Sequence, residues 1–186
     1  MTNVIISGSS GKMGRVLTDM IAQQPDIQIV AGFDPSPAPG SSFPVFQSPA
    51  DCSVSADCII DFSHPSALTG LLDFCKKTGC GIILATTGYS PEQLEEIEAA
   101  SKSLRIFRSA NMSLGINVLM ALVRQTAKIL GDSWDIEIVE KHHNRKLDAP
   151  SGTALMLADA AAGVLPYAPE YVYSRHDCRQ SRGKTE

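Results

Sequence analysis

The sequence predicts an α/β chain: a Rossmann-type doubly wound parallel sheet, followed by a smaller α+β domain. Three observations point there. Short continuous apolar runs (Val4-Ile5-Ile6, Cys58-Ile59-Ile60, Gly81-Ile82-Ile83-Leu84) alternate with helical periods. That is the pattern of parallel strands buried on both faces. The first run ends in a glycine turn, Gly8-Ser9-Ser10-Gly11-Lys12-Met13-Gly14, before a helix. Beyond Gly115 the pattern changes to one long helix and then a strand with polar and apolar residues alternating. The chain thus divides into a dinucleotide-binding domain over 1–112 and a second domain over 113–186.

The glycine turn carries the first chemical signal. Small residues at Gly8 and Gly11 let the backbone turn tightly and approach a pyrophosphate, and Gly14 lets the helix pack close to the sheet. Ser9 stands where a glycine is usual. Ile27 to Phe33 reads as the next strand, and Asp34 follows it, 20 positions after Gly14. That offset suits the acid that binds the ribose hydroxyls of NAD. Pro35, not a cation, follows Asp34, which favours NADH over NADPH; Lys12 and Arg15 lie near enough in sequence to reach a 2′-phosphate.

Asp34 to Pro49 is rich in Pro, Ser and Gly and reads as a surface loop. Cys58 to Phe62 is a buried strand, and Ser63-His64-Pro65-Ser66 opens a helix through Leu68, Leu71, Leu72 and Phe74. His64 reads as a capping or packing residue rather than an acid–base catalyst. Gly81 to Ala85 is the next strand. Ser90-Pro91-Glu92-Gln93 begins a helix with a cap, a first-turn proline and a capping box. Leu104 to Phe107 adds one more strand. Thr86, Thr87 and Asn111 follow strand ends, where hydroxyls and amides can reach a ribose or nicotinamide amide.

Ile116 to Leu130 falls on a helical period that Gly131 ends. Asp135 to Glu140 alternates polar and apolar, as a strand with one covered face does. A lone strand of this kind needs a partner, from further chain or a second molecule. It leads into Glu140-Lys-His-His-Asn-Arg-Lys-Leu-Asp-Ala-Pro-Ser-Gly-Thr-Ala154, which holds Lys141, His142, His143, Arg145 and Lys146. Ser151 caps a helix over about Thr153 to Val164. Cations therefore sit ahead of a helix N-terminus, which suits a carboxylate or phosphate. His142 can exchange a proton near neutral pH. Lys146 can hold a carboxylate or polarise a ring nitrogen.

Composition narrows the classes. The chain has 186 residues, 44% of them hydrophobic, and a formal net charge of −4. The mild acidity argues against a general nucleic-acid binder. No apolar run is long enough to cross a membrane, and no charged-then-apolar leader is present. Five cysteines with no Cys-x-x-Cys pair point to reduced thiols in a cytoplasmic protein. Adjacent histidines in a loop rarely aim at one ion, so no metal is expected.

Several stretches together resemble the 4-hydroxy-tetrahydrodipicolinate reductase family: the glycine turn, Asp61-Phe62-Ser63-His64-Pro65, Thr86-Thr87-Gly88, Ser109 to Gly115, and above all Glu140 to Ala154. The resemblance covers nearly the whole chain. It implies NADH- or NADPH-dependent reduction of a cyclic dicarboxylate in the diaminopimelate route to lysine, by a homotetramer built through the open mixed sheet of a substrate-binding and oligomerisation domain over 113–186, a sheet incomplete in this chain. It implies that the dinucleotide lies against Gly8, Ser9, Ser10, Gly11, Lys12, Met13, Asp34, Ala85, Thr86, Thr87, Ser109, Ala110, Asn111 and Met112. His142 and Lys146 match the family's proton donors, and His143, Gly152 and Thr153 its substrate-binding residues. Family members continue past the equivalent of Glu186. The alternatives are another nicotinamide-dependent dehydrogenase or a non-catalytic NAD-binding protein. A semialdehyde dehydrogenase needs a nucleophilic cysteine at a helix start, and none of the five cysteines sits there.

Overall fold

The computed structural model describes residues 1–146 and 148–186; Leu147, inside the basic stretch, lies outside them. The chain divides into two compact units, Met1–Ala110 and Asn111–Glu186.

The first unit is one six-stranded parallel sheet with the order β3-β2-β1-β4-β5-β6. Its strands are β1 (Thr2–Ser7), β2 (Ile27–Phe33), β3 (Val45–Phe46), β4 (Cys58–Asp61), β5 (Gly81–Leu84) and β6 (Ile106–Arg108). The order runs outward in both directions from β1, so the switch point lies at the carboxyl ends of β1 and β4, where a doubly wound sheet keeps its ligand crevice. Helices α1 (Lys12–Ile21), α2 (Leu68–Thr78) and α3 (Pro91–Ser101) connect the strands.

Alternation along the strands divides the core between the two faces. Ile5, Ile59, Ile82 and Leu84 are buried with Leu71 and Leu72 of α2 and Ile97 of α3. Val4 and Ile6 point the other way and pack with Ile21 of α1. With both faces covered, no polar residue is needed along the central strands, hence the unbroken apolar runs. Each such side chain contributes roughly 1.5–3 kcal/mol by leaving water.

Local signals shape the helix ends. Ser90 Oγ accepts from Gln93 N at 3.3 Å, and Ser90 N donates to the Gln93 side chain at 3.1 Å, which is the reciprocal box expected from the sequence. The stretch before α2 differs from expectation: Pro65–Ala67 is a single 3-10 turn, with the α-helix proper starting at Leu68. The His64 ring accepts from Ser66 N, so His64 is a cap. Within the Asp34–Pro49 stretch, read as loop, Val45–Phe46 pairs with Gly32–Phe33 as a two-residue edge strand. The last strand lies at Ile106–Arg108, not Leu104–Phe107. Leu104 N is still bonded to Ala100 O at the end of α3, so the chain is free to pair only later.

The second unit holds α4 (Leu114–Leu130) and α5 (Gly152–Ala162), which pack on each other. Gly131 closes α4 with φ +63°, a conformation in which glycine is at home. The strand expected over Asp135–Glu140 does not form. Ile136, Ile138 and Val139 are all exposed, and these residues join no ladder among the described residues. A strand is held by its neighbours' backbone groups, and alternation in the sequence cannot supply them. No open mixed sheet is present in this unit among the described residues.

Candidate functional site

In the first unit the candidate site is the glycine turn and the carboxyl ends of the neighbouring strands. Gly8 has φ +79°, and a Cβ there would lie 2.5 Å from Phe62 O. A Cβ on Gly14 would lie 2.3 Å from Gly8 O. Both glycines are therefore demanded by backbone approaching backbone. Ser9, the departure from the usual pattern, fits because residue 32 is glycine: a Cβ on Gly32 would sit 2.6 Å from Ser9 Oγ. That hydroxyl is buried with no hydrogen-bond partner among the described residues. Ser10 and Gly11 complete the turn, and Gly11 N donates to Gly8 O at 3.0 Å. Lys12 and Met13 are exposed at the head of α1. The Gly11 cap makes no side-chain bond, and α1 has no acidic residue in its first turn. Its first N–H groups are thus left for an anion.

Asp34 closes the other side of the turn. Its carboxylate accepts from Ser10 N and from Ser36 N, each at 2.9 Å. This orients it beside the glycine backbone, as a ribose-binding acid must be. A cavity of about 560 Å³ adjoins the turn, lined by Ser9, Ser10, Arg15, Ser41, Ser42 and Phe43. Arg15 faces this space, while Lys12 is not part of its lining.

The ends of β4 and β5 are organised by a residue that sequence reasoning passed over. Asp61 is 1% exposed. Its carboxylate accepts from Ser63 Oγ at 2.5 Å, from Ser63 N at 3.3 Å and from Tyr89 OH at 3.3 Å. A buried carboxylate is tolerable when donors surround it. Burial, followed by the nearby Asp61 charge, pushes the Tyr89 hydroxyl well above its ordinary range. Thr86 is buried and its hydroxyl accepts from Ser63 N at 3.0 Å, whereas Thr87 is exposed. Ala85 N donates to Asp61 O and Ser109 N to Leu84 O. Ala110 is exposed at the end of the unit. The rigid glycine cradle, the oriented Asp34 and the uncapped helix start fit a dinucleotide.

In the second unit the basic stretch forms a turn ahead of α5. Lys146 N donates to His143 O at 3.2 Å, and Arg145 N donates to His143 Nδ1 at 3.1 Å. His142 and His143 are both exposed. Lys146 Nζ is 2.5 Å from Asp148 Oδ1, and this bond holds the Asp148 carboxyl below its usual range. Ser151 caps α5 by accepting from Ala154 N at 3.1 Å. Glu140 then grips the cap: it accepts from Ser151 N at 2.9 Å and from Ser151 Oγ at 2.5 Å. Those two bonds, followed by the charges of His142 and Lys146, hold the Glu140 carboxyl below its ordinary value. His142 Nδ1 lies 3.8 Å from Glu140 Oε2. Asn111 and Thr153 meet through a 3.0 Å bond from Asn111 Nδ2 to Thr153 Oγ1, while Asn111 Oδ1 takes Ser113 N. Met112 is exposed, as is Gly152 at the first position of α5.

A separate cavity of about 640 Å³ opens in this unit, with Ile138, Ala154, Leu155 and Tyr171 in its lining. It contains Glu140 but neither His142 nor Lys146, so the proton-carrying groups lie outside it.

Family comparison matches the description "Dihydrodipicolinate reductase, N-terminus" over residues 2–112 and "Dihydrodipicolinate reductase, C-terminus" over residues 115–186. The chain belongs to the dihydrodipicolinate reductase family. A 4-hydroxy-tetrahydrodipicolinate reductase of Caldanaerobacter subterraneus subsp. tengcongensis is 48% identical over 186 residues, covering the whole of this chain and 73% of the relative. One from Clostridium tetani is 47% identical over 94% of this chain and 69% of its own length. The solved dihydrodipicolinate reductase of Paenisporosarcina sp. TG-14, with dipicolinate bound, superposes with a TM-score of 0.69 at 25% identity, covering 97% of this chain and 71% of that one. As a dihydrodipicolinate reductase family member, the chain is an NAD(P)H-dependent oxidoreductase with the family's reductase function in the diaminopimelate route to lysine. No helix among the described residues is long and apolar enough to cross a membrane.

Proposed function

We propose that this chain reduces 4-hydroxy-tetrahydrodipicolinate to tetrahydrodipicolinate, with residues 1–112 holding the dinucleotide and 113–186 holding the substrate. The observation that carries the reading is the Glu140–Ala154 stretch. There one loop presents an exposed imidazole, an ammonium group and the start of an eleven-residue helix. NADH or NADPH, when bound, supplies the hydride. Gly8 to Met13 and Asp34 would hold its pyrophosphate and ribose, and Ala85 to Thr87 with Ser109 to Met112 its nicotinamide end.

The substrate is a cyclic dicarboxylate; its hydroxyl leaves as water together with a hydrogen of the neighbouring carbon, and reduction of the double bond so formed needs hydride at the carbon that bore the hydroxyl and a proton at its neighbour. His142 delivers that proton from an exposed position. Lys146 holds a carboxylate or polarises the ring nitrogen once it exchanges Asp148 for substrate. Gly152 and Thr153 are in the first turn of α5, where N–H groups have no intrahelical acceptor; Gly152 N–H faces Asp148 until substrate replaces that carboxylate, and the two then take a substrate carboxylate together with His143. Ser151 N is already given to Glu140, so it is not among the donors.

Exposed apolar residues on α4, among them Val118, Leu122 and Ile129, support a homotetramer as the working form. Five cysteines, all free, support a cytoplasmic setting. The test is spectrophotometric: the cyclic substrate is added to protein with NADH and with NADPH in parallel. Oxidation of either on addition of substrate is the expected result. Dinucleotide binding without oxidation would replace the reading with that of a non-catalytic NAD-binding protein.

A further inference from the structure

We propose that Glu140 is a positioning residue, which ties the His142 imidazole to the substrate-facing start of α5 through a single carboxylate. The inference rests on the assignment of His142 as the proton donor. Its basis is the direction of each hydrogen bond. Ala154 N–H donates to Ser151 Oγ. The Ser151 hydroxyl spends its one proton on Glu140 Oε2 at 2.5 Å. The ionised Glu140 has only acceptors to offer, and its other oxygen takes Ser151 N–H at 2.9 Å. His142 Nδ1 lies 3.8 Å from that same Oε2, beyond a hydrogen bond but within ion-pair reach.

The ion-pair contact favours one arrangement. With a carboxylate oxygen nearest to Nδ1, the Nδ1–H tautomer is the stabilised one, and Nε2 is then the nitrogen that exchanges a proton with substrate. Glu140 thereby fixes the tautomer of His142 and the position of the α5 cap together. The imidazole of His142 and the cap at Ser151, separated in sequence by His143 to Pro150, are held as one assembly.

Glu140→Gln is the decisive variant. The amide keeps the shape but must present a donor either to Ser151 N–H or to the Ser151–His142 side, and one contact becomes donor against donor. The inference predicts that kcat falls roughly tenfold to a hundredfold, in the range of outer-shell partners of functional histidines, while the Kd for NADH stays within about twofold. Nitrogen-15 NMR of His142 should show the Nδ1–H form in the parent and lose it in the variant. In a His142→Gln background, adding Glu140→Gln should lower kcat no further, because Glu140 acts through the imidazole. A Glu140→Gln kcat within about twofold of the parent while His142→Gln is inactive overturns the inference alone. So do losses that multiply in the double variant. Full turnover in His142→Gln removes the catalytic assignment and the inference with it. If melting curves show Glu140→Gln unfolded, Ser151→Ala gives the second reading. It removes the hydroxyl bonds that join Glu140 to the α5 cap, keeps the backbone N–H bond to Glu140 and leaves the carboxylate beside His142, so KM for the cyclic substrate should rise with the Nδ1–H signal retained. An unchanged KM there overturns the inference.

Discussion

Gly14→Ala sets two effects of opposite sign against each other. Gly14 is the third residue of α1, where helix propensity alone would favour alanine by about 0.8–1.0 kcal/mol. The structure reverses the sign. The new Cβ would stand 2.3 Å from Gly8 O and 2.6 Å from both Ser9 Cα and Ser9 O, all of them backbone atoms. Gly8 cannot move aside, because its own Cα is packed against Phe62. Overpacking of this kind costs typically 1–3 kcal/mol or more, and here no flexible side chain is available to absorb it. With the cost at the upper end of that range, a net loss of about 2 kcal/mol remains after the propensity gain, and the melting temperature of a unit this size should fall by roughly 8 °C. The first turn of α1 must also back away from the glycine loop, so NADH binding should weaken about tenfold to a hundredfold, the worth of one charge-assisted hydrogen bond. Thermal melting and fluorescence titration with NADH measure the two effects. Gly11→Ala is the milder control, since its Cβ would lie 3.1 Å from the same oxygen. A Gly14→Ala protein that melts at or above the parent temperature and binds NADH equally well would refute the argument.

Other consequences follow from the two carboxylate clusters. Asp34→Asn removes the charge oriented by Ser10 and Ser36, so affinity for NADH should drop about tenfold to a hundredfold while NADPH loses less, as paired titrations would show. Asp148→Asn frees Lys146 from its exposed ion pair, and KM for the cyclic substrate should fall roughly twofold to fivefold in steady-state assays. Glu140 is held below its ordinary value of 4.5 by Ser151. The stability it contributes is therefore complete above that ordinary value and is lost as pH falls through the lowered one. Melting temperature plotted against pH in the acid range should fall more steeply for the parent than for Glu140→Gln.

Much of the first unit was legible because its chemistry is local. Both faces of the sheet are buried, so β2 shows as an apolar run from Ile29 to Phe33, with the exposed Gln28 confined to its start. Ser90 and Gln93 declare their helix start within four residues. What escaped depends on residues distant in sequence. Val45–Phe46 is too short to show a period, and only its pairing with Gly32 and Phe33 makes it a strand. Asp135 to Glu140 has the period but meets no neighbouring strand among the described residues, and alternation alone does not make a ladder. In the site, the glycine turn and Asp34 were readable from spacing, whereas the tolerance for Ser9 depends on Gly32 across the sheet. His142 and Lys146 stood out by residue type. Glu140 did not, because a glutamate gains its role only when the chain returns Ser151 to it. The signal available was an acidic residue immediately ahead of a basic run that closes on a cap. Asp61 likewise reads as an ordinary strand end until Ser63 and Tyr89 converge on it.

The most direct measurement pairs turnover with cofactor affinity in the double variant His142→Gln/Lys146→Ala. With imidazole and ammonium both gone, substrate-dependent NADH oxidation should collapse while the Kd for NADH remains that of the parent. Parental turnover in that variant would place proton delivery elsewhere and contradict the assignment of this loop as the reacting centre.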